Sequence, residues 1–208
     1  MKKLLPLLVL MMLVCNTMYA QKKTITAGIK GGINLSSLRL NQSVEYLKYS
    51  GKAGLQAGVF ATLPLCGNFS LQSELLWNSL GAKFNSDFDL DSPVDTTIHT
   101  EGKQALQYIS LPVLVRYRFS HSGFHIYAGP QASYLVSANS KQTGYDKASN
   151  LDLYKRFDLS AVAGLEYEIP HSHFSIIGRY QFGITDISKG SYYKPKNSAG
   201  SLAIAYRF

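Results

Sequence analysis

The sequence predicts an all-β protein, an eight-stranded antiparallel up-and-down barrel that spans a membrane. Three observations support this prediction: strands that alternate apolar and polar residues, connections that alternate between short and long, and aromatic residues that gather at one edge. The clearest strand runs from Ser198 to Phe208, with Leu202, Ile204, Tyr206 and Phe208 on one parity. In water this apolar face would need a covering layer, whereas in a bilayer the lipid covers it.

The first four strands each place apolar residues at every second position. The first strand has Ile25, Ala27, Ile29, Ile33 and Leu35 on its apolar parity. The second has Leu55, Ala57, Val59 and Ala61 within the run 53–63. The third has Phe69, Leu71, Leu75 and Trp77. The fourth has Ile109, Leu111, Val113, Val115, Tyr117 and Phe119. Pro112 removes one ladder hydrogen bond from the fourth strand, which predicts a bulge or kink at that residue.

The remaining strands repeat the pattern over 124–136, 157–169, 174–184 and 198–208. Apolar residues do not recur at helical spacing over the length of an average helix after the N-terminal region. No later stretch approaches the roughly 18 apolar residues of a membrane helix. A membrane-spanning version of this chain would therefore have to be a β-barrel.

The connections between the predicted strands alternate in length. Short connections are predicted at 66–68, 120–123 and 170–172. Long connections are predicted at 36–51, 83–104, 137–156 and 186–197. Bacterial outer-membrane barrels have this asymmetry, with tight periplasmic turns and longer external loops. An even strand number then places both chain termini at the periplasmic rim.

Aromatic residues support this orientation. On the outward parity, eight of them fall at the edge of the short turns: Phe69, Tyr117, Phe119, Phe124, Tyr167, Phe174, Tyr206 and Phe208. Trp77, Tyr134 and Phe182 lie toward the opposite rim and predict a sparser outer belt. A soluble barrel such as a lipocalin would instead turn its apolar parity inward.

The N-terminus predicts export. Lys2 and Lys3 precede an apolar run from residue 4 to 14, and the pattern fits a signal peptide over 1–20 that is cleaved after Ala20. Cys15 raises the alternative of a lipoprotein anchor, although Val14 is larger than the residue that lipoprotein processing prefers. Residues 21–208 then form one domain, and we expect it in the outer membrane of a Gram-negative bacterium.

The composition excludes some classes of function. The formal net charge is +8, but the Lys and Arg residues are scattered, so nucleic-acid binding has no support. Cys66 is the single cysteine after residue 20, which excludes an internal disulfide in the mature domain.

The inward parity carries many polar and charged residues. Its members are Lys30, Gln56, Gln72, Glu74, Arg116, Arg118, Gln131, Glu166, Glu168, Arg179, Gln181 and Arg207. An eight-stranded barrel is barely wide enough for its own side chains, so these charges are expected to pair across the interior. We predict a structural network in which Glu74 and Glu166 pair with Arg116 and Arg179. A gated proton or ion path is the alternative.

Several segments resemble a known family. They are Gly28 to Ser36 (GIKGGINLS), Glu74 to Gly81 (ELLWNSLG), Tyr108 to Tyr117 (YISLPVLVRY), Tyr127 to Pro130 (YAGP) and Arg179 to Ile187 (RYQFGITDI). In order and spacing they are similar to the PorT-like outer-membrane β-barrel proteins of Bacteroidota, over the whole mature chain. The resemblance implies an eight-stranded outer-membrane barrel of mostly unassigned role. Ser110 and Asp186 depart from the residues more usual in that family.

The C-terminal residues carry a further implication of such families. Leu202, Ile204, Tyr206 and Phe208 match the C-terminal signal that the barrel-assembly machinery reads. The barrel-assembly machinery is therefore an expected partner, and these four residues are the expected assembly signal.

Candidate catalytic and metal sites are weak. His99 with Asp95 or Asp91 could form a base and its orienting group, but no nucleophile has the matching spacing. His171 and His173 could hold a metal from one turn, with no third ligand. Asp87, Asp89 and Asp91 begin a calcium-loop pattern, which then fails where Ser92 and Ile98 replace its glycine and closing carboxylate. We expect no cofactor and no enzymatic activity.

The external loops are instead basic. Their cations are Lys141, Lys147, Lys155, Arg156, Lys189, Lys194 and Lys196. Contact with lipopolysaccharide phosphates is one hypothesis, and solubilising surface charge is the alternative. The sequence thus predicts a non-enzymatic outer-membrane barrel with an envelope structural or interaction role, or an accessory of a secretion or uptake assembly. An outer-leaflet lipid-modifying enzyme or protease and a narrow channel remain the other functional classes.

Overall fold

Long antiparallel strands account for almost all of the computed structural model of this chain, which describes residues 24–39, 47–89, 97–120, 122–142, 148–149, 151–189 and 194–208. The strands are β1 (Thr26–Arg39), β2 (Leu47–Pro64), β3 (Phe69–Asp89), β4 (Thr97–Arg118), β5 (Phe124–Gln142), β6 (Ala148–Ser149), β7 (Phe157–Glu168), β8 (Phe174–Gly183) and β9 (Lys196–Arg207). One 3₁₀ turn covers Leu151–Leu153. The predicted signal peptide, residues 1–20, lies outside the described residues.

Eight of these strands form a closed barrel, and the two-residue β6 pairs only with β5. Each barrel strand pairs antiparallel with the next one along the chain. Pairing between β1 and β9 completes the ring, with a register from Gly28↔Arg207 to Arg39↔Lys196. The predicted fold, an eight-stranded antiparallel up-and-down barrel, is confirmed. No helix within the described ranges combines the length and the hydropathy of a bilayer-crossing helix.

Side-chain exposure follows the predicted parity. The outward positions of the first and last strands, such as Ile33 and Ile204, are more than half exposed in the isolated chain. The inward positions that alternate with them, such as Asn34 and Ala203, are buried. An exposed apolar wall of this kind matches the lipid-facing surface of a membrane barrel.

Aromatic rings lie in contact along the rim of the short turns. Phe69 packs on Tyr117 with ring centroids 5.0 Å apart, and Phe124 packs on Tyr167 at 4.7 Å. Tyr206 contacts Phe174 at 5.1 Å. Near the opposite rim, separate pairs join Tyr134 to Phe157 and Tyr180 to Phe182. The rings therefore form two belts on the outer wall, as the parity predicted.

The predicted long connection at 83–104 is wrong, because most of it is strand. The β3 and β4 ladder continues for twelve residue pairs beyond Trp77↔Ile109, from Asn78↔Tyr108 to Asp89↔Thr97. At about 3.4 Å per residue this is an extension on the order of 40 Å. The segment lacks an apolar parity because a hairpin needs one only where a face is covered by lipid or core. The connections at the external rim nevertheless remain longer than the periplasmic turns.

Pro112 does not shift the strand register. The β3–β4 pairing is interrupted between Ser73↔Val113 and Leu76↔Ser110 but resumes in the same register. The register shift in β4 lies instead between Gln107 and Tyr108, on its β5 side. The predicted loss of ladder pairing at Pro112 is therefore confirmed, but no bulge lies there, because the proline removes hydrogen bonds without adding a residue to one strand.

Candidate functional site

The barrel interior contains the densest set of charged groups among the described residues. The buried ion pairs lie in the half of the lumen nearest the short turns, beside an apolar cluster that includes Phe60, Leu114 and Ile177. A second apolar cluster lies toward the opposite rim. We refer to the charged part as the lumen charge network: Lys30, Glu74, Arg116, His125, Glu166, Glu168, Arg179 and Arg207.

Glu74 is the centre of the first part of this network. Its side chain on β3 is inaccessible to solvent. Lys30 on β1 donates from Nζ to Glu74 Oε2 at 2.6 Å, and Arg179 on β8 donates to both carboxylate oxygens at 2.8 and 2.9 Å. Gln72 Nε2 adds a bond of 2.6 Å to Oε1. One carboxylate on β3 thus balances two cations from β1 and β8, the strands that lie on either side of β9.

Tyr127 supports the Arg179 side of this group. Arg179 Nε donates to the Tyr127 hydroxyl at 3.4 Å, and the guanidinium lies 5.6 Å from the centre of the same ring. Gly164 makes room for that ring, since a Cβ on Gly164 would lie 2.6 Å from the Tyr127 hydroxyl oxygen. A glycine on β7 is therefore a packing requirement of the network.

The second part lies closer to the periplasmic rim. Arg116 NH2 lies 2.8 Å from Glu166 Oε2, and Arg207 NH2 lies 3.0 Å from Glu166 Oε1. Arg207 also hydrogen-bonds Glu168. Buried His125 lies 3.5 Å from Glu168 through Nε2. These ion pairs join β4, β5, β7 and β9 around the end of the barrel.

The structure places the four sequence-predicted network residues in two pairs, Glu74 with Arg179 and Glu166 with Arg116. The sequence assigned Lys30, Glu168 and Arg207 to the lumen without naming their partners. His125 was not among the residues that the sequence assigned to the lumen. The parity of β5 could have found His125, because this residue lies between the outward-facing Phe124 and Ile126.

A chain of uncharged polar groups runs along the inner wall of the barrel across the neighbouring strands β3, β4 and β5. Asn78 Nδ2 donates to Ser110 Oγ at 3.0 Å, and Ser110 Oγ lies 2.9 Å from Ser133 Oγ. Gln131 Nε2 donates to Ser133 at 3.2 Å. Ser110, the departure from the resembled family, is therefore a buried link between β3 and β5 rather than a charged group.

Asp158 organises a further buried group nearer the external rim. It accepts from Asn197 Nδ2 at 2.8 Å and from Thr185 Oγ1 at 2.8 Å. Asn197 Nδ2 also donates to the hydroxyl of Tyr108 at 3.1 Å. Neutral donors thus solvate this carboxylate where no cation is in contact with it among the described side chains.

An apolar cluster closes the external half of the lumen. Its members are Leu38, Leu80, Ala82, Leu106, Tyr108, Leu135, Ala138, Tyr154, Ile187 and Ala199. Tyr154 and Ile187 come from the two longest external connections. These connections pair with each other, since Lys155 N donates to Ile187 O at 2.8 Å and Lys189 N donates to Leu153 O at 2.8 Å. The external connections therefore fold into the mouth of the barrel.

This arrangement fills the interior with packed side chains. Inward residues from every barrel strand are buried, and the buried charged ones other than Asp158 lie in contacts with oppositely charged groups on other strands. In an eight-stranded ring such filling leaves room for structural contacts rather than a wide aqueous path.

The catalytic and metal candidates gain no supporting geometry. Asp91 and Asp95 lie outside the described residues, and only the backbone of His99 is described, in register with Asp87. His173 Nδ1 lies 3.0 Å from a backbone oxygen, that of Arg207. No group of three metal-ligating side chains occurs in the part of the chain that the structure describes. Asp87 and Asp89 belong to β3, so the calcium-loop pattern is not a loop there.

The expected assembly signal lies on the outer wall. Leu202 and Ile204 are exposed, and Tyr206 packs on Phe174. Phe208 is 70% exposed, and its backbone N–H donates to Ala27 O at 2.9 Å. The four residues therefore form one continuous apolar and aromatic row on the outward face of β9 and the residue that follows it.

Asp186, the other departure, belongs to the external surface. Lys155 Nζ donates to its Oδ2 at 2.5 Å, and its Oδ1 accepts from Ser188 N at 3.0 Å. The hydrogen bond from the Lys155 ammonium holds the pKa of Asp186 below its usual value. Asp186 thus anchors one external connection to the other.

Comparisons with known proteins agree with this geometry. The family model described as outer membrane protein beta-barrel domain matches residues 19–189. No curated protein matches the chain. Among solved structures, Neisserial surface protein A is similar at 11% identity and a TM-score of 0.51, over 89% of this chain and 99% of that chain. This likeness concerns the fold.

Two other solved barrels are similar at lower TM-scores. Ail of Yersinia pestis, in complex with the heparin analogue sucrose octasulfate, has 16% identity and a TM-score of 0.49, over 88% of this chain and 99% of that one. OprG from Pseudomonas aeruginosa has 15% identity and a TM-score of 0.34, over 88% and 94%.

Proposed function

Because the chain belongs to the outer membrane protein beta-barrel domain family, we propose that this integral outer-membrane protein is a closed, non-enzymatic barrel. It has an envelope structural or interaction role, or serves as an accessory of a secretion or uptake assembly. Export through the signal peptide at 1–20 and a PorT-like origin in Bacteroidota are parts of the same proposal. They rest on the N-terminal pattern and on the sequence motifs.

The filled lumen is the observation that carries this proposal. Glu74, Arg179 and Lys30 join strands across the ring, and the apolar cluster around Tyr154 and Ile187 occupies the external mouth. A barrel whose interior is devoted to its own stability offers its outer rims to other molecules. The long external ladder of β3 and β4 enlarges one of these rims.

Planar bilayer recordings of the purified barrel test this proposal against the narrow channel. We expect no stepwise conductance above that of protein-free membranes. The matched control is a double variant, Glu74→Ala with Arg179→Ala, which removes the central ion pair and so enlarges the bore of the barrel. Steady single-channel conductance of the unaltered protein would contradict the proposal.

Site-specific photo-crosslinking in cells tests the interaction role. A crosslinking residue at Lys189, which is exposed at the external rim, is expected to capture an envelope component. The matched position is Ser172, which is exposed at the periplasmic rim. Equal products from both positions would show diffuse contact with the envelope and would argue against an external interaction surface.

Lipopolysaccharide is the external partner that the charges suit best. Lys189 and Lys194 are exposed at the external rim, and Lys155 lies there in its pair with Asp186. Cations at this level face anionic head groups. Replacing Lys189 and Lys194 with Gln should lower the amount of lipopolysaccharide that co-purifies with the barrel. If the amount of co-purified lipopolysaccharide did not change, the lysines would not bind it and would serve only as solubilising surface charge.

A further inference from the structure

An apolar groove runs along the outer wall of the barrel, across β4, β5, β7 and β8, with a volume of about 680 Å³. Small residues make it deep: Ala128 and Ala163 are cross-strand partners and both are exposed. Larger aromatic side chains rise on both sides, the Phe69–Tyr117 pair toward the periplasmic rim and the Tyr180–Phe182 pair along β8. A barrel wall is convex, so such a hollow exists only because small and large residues are grouped.

A polar cavity of about 380 Å³ lies at the periplasmic rim beside this groove. It is lined by Asn68, Arg118, Phe119, Ser120 and Ser122. Asn68 Nδ2 donates to Ser120 Oγ at 2.8 Å, which fixes two of the polar groups. The exposed Arg118 side chain makes no ion pair with any described residue, in contrast to the arginines of the lumen charge network.

The two cavities adjoin at the ends of β3 and β4. Tyr117 lines the groove and its ring contacts Phe119, which lines the polar cavity, at 5.3 Å. Arg118 is three residues along β4 from Val115 in the groove, a separation of roughly 10 Å in a strand. The apolar groove on the outer wall therefore ends beside a rim cavity that holds a guanidinium and two hydroxyls. Arg118 has the inward parity, but it is the last residue of β4 and its side chain is exposed at the rim.

The apolar groove and the cationic rim cavity beside it match the two parts of an anionic amphiphile, its acyl chain and its charged head. We propose that the site binds one phospholipid of the periplasmic leaflet, with an acyl chain in the groove and its phosphate on Arg118 and the neighbouring hydroxyls. Guanidinium and hydroxyl donors suit phosphate oxygens. The rim of the short turns faces the periplasm, where the leaflet consists of phospholipid, so lipopolysaccharide is on the wrong side for this site.

Native mass spectrometry of the full-length barrel, extracted from membranes and titrated with a diacyl phospholipid, tests the proposal. The unaltered protein is expected to retain one phospholipid. Arg118→Gln removes the charged head contact and should weaken retention about tenfold, the effect of losing one charge-assisted hydrogen bond. Ala163→Leu fills the groove and should weaken retention by a similar factor.

Two matched variants control for general effects. Ala61→Leu makes the same change at an exposed position of β2 away from the groove, and Arg39→Gln removes an exposed arginine at the opposite rim. Both should retain phospholipid as the unaltered protein does. Ala163→Val is the milder second variant if Ala163→Leu fails the heat-dependent gel shift of a folded barrel.

Equal retention by all variants would overturn the proposal, because the bound lipid would then be unspecific annular lipid. If inorganic phosphate competed with the lipid and Ala163→Leu had no effect on retention, the proposal would be overturned in favour of a site for free phosphate. If diacylglycerol bound as tightly as phospholipid, the proposed contact between the phosphate and Arg118 would be excluded. A dimer that Ala163→Leu disrupts would assign the groove to a second copy of the chain instead.

Discussion

Replacing Glu74 with Gln should destabilise the barrel far more than replacing Lys30 with Met, although the two residues form one ion pair. Glu74 accepts one bond from Lys30 and two from Arg179, and all three side chains are buried. Glu74→Gln leaves two buried cations without their counter-charge. Lys30→Met leaves Glu74 paired with Arg179 and removes the excess cation.

The sizes of the two effects follow from the environment of each charge. Breaking a buried pair so that a charge stays uncompensated costs about 3–5 kcal/mol, so Glu74→Gln should lower the free energy of unfolding by at least this amount. Lys30→Met leaves no charge uncompensated, because Glu74 keeps both hydrogen bonds from Arg179, so it should change the free energy of unfolding by less than about 1 kcal/mol.

Urea unfolding in lipid vesicles provides the assay. Trp77 is the single tryptophan and lies exposed on the outer wall, so its emission reports loss of the lipid contact. Gln56→Met is the control for substitution in the lumen, because the Gln56 side chain is buried and its Nε2 has no hydrogen-bond partner among the described atoms. An equal loss of stability for Glu74→Gln and Lys30→Met would refute the reasoning.

Three further predictions follow from local contacts. Deletion of Phe208 should lower the yield of inserted barrel in cells while it changes the unfolding free energy of refolded protein by only about 1 kcal/mol, since one backbone hydrogen bond is lost; equal effects on both would contradict this. Gly164→Ala should cost about 1–3 kcal/mol in urea unfolding, because the added methyl group meets the Tyr127 ring. Lys155→Gln should raise the pKa of Asp186 in a carboxyl NMR titration, because the lysine lowers that pKa. The stabilisation from this pair is therefore present at neutral pH and lost as the pH falls through the lowered pKa.

The transmembrane part of the fold could be predicted because lipid imposes a pattern on the sequence. An outward residue such as Ile33 must be apolar while the inward Asn34 is free to be polar, and this alternation identifies the strand and its facing. Above Asn78 and Tyr108 the strict alternation of apolar and polar residues in β3 and β4 ends. Hydrogen bonds between backbones hold that ladder, and they leave little trace in residue type.

The sequence predicts which residues face the lumen, but it does not fully predict which of them form ion pairs with each other. Parity assigns Glu74 and Arg179 to the interior, but the partner of each depends on depth along tilted strands, which a one-dimensional pattern does not contain. The apolar closure by Tyr154 and Ile187 was missed for a different reason. These residues lie in irregular connections, where no periodicity indicates which side chain turns back into the mouth.

The closing seam between β1 and β9 has a consequence for how the chain reaches this structure. Its twelve residue pairs, from Gly28↔Arg207 to Arg39↔Lys196, join the first strand to the last. Every other pairing in the ring can form between neighbours in sequence, but this one must wait until the whole domain has been synthesised. Until then β1 has an unpaired edge of backbone donors and acceptors, which is a template for aggregation. A fragment that lacks β9 would therefore expose two such edges rather than form a smaller barrel.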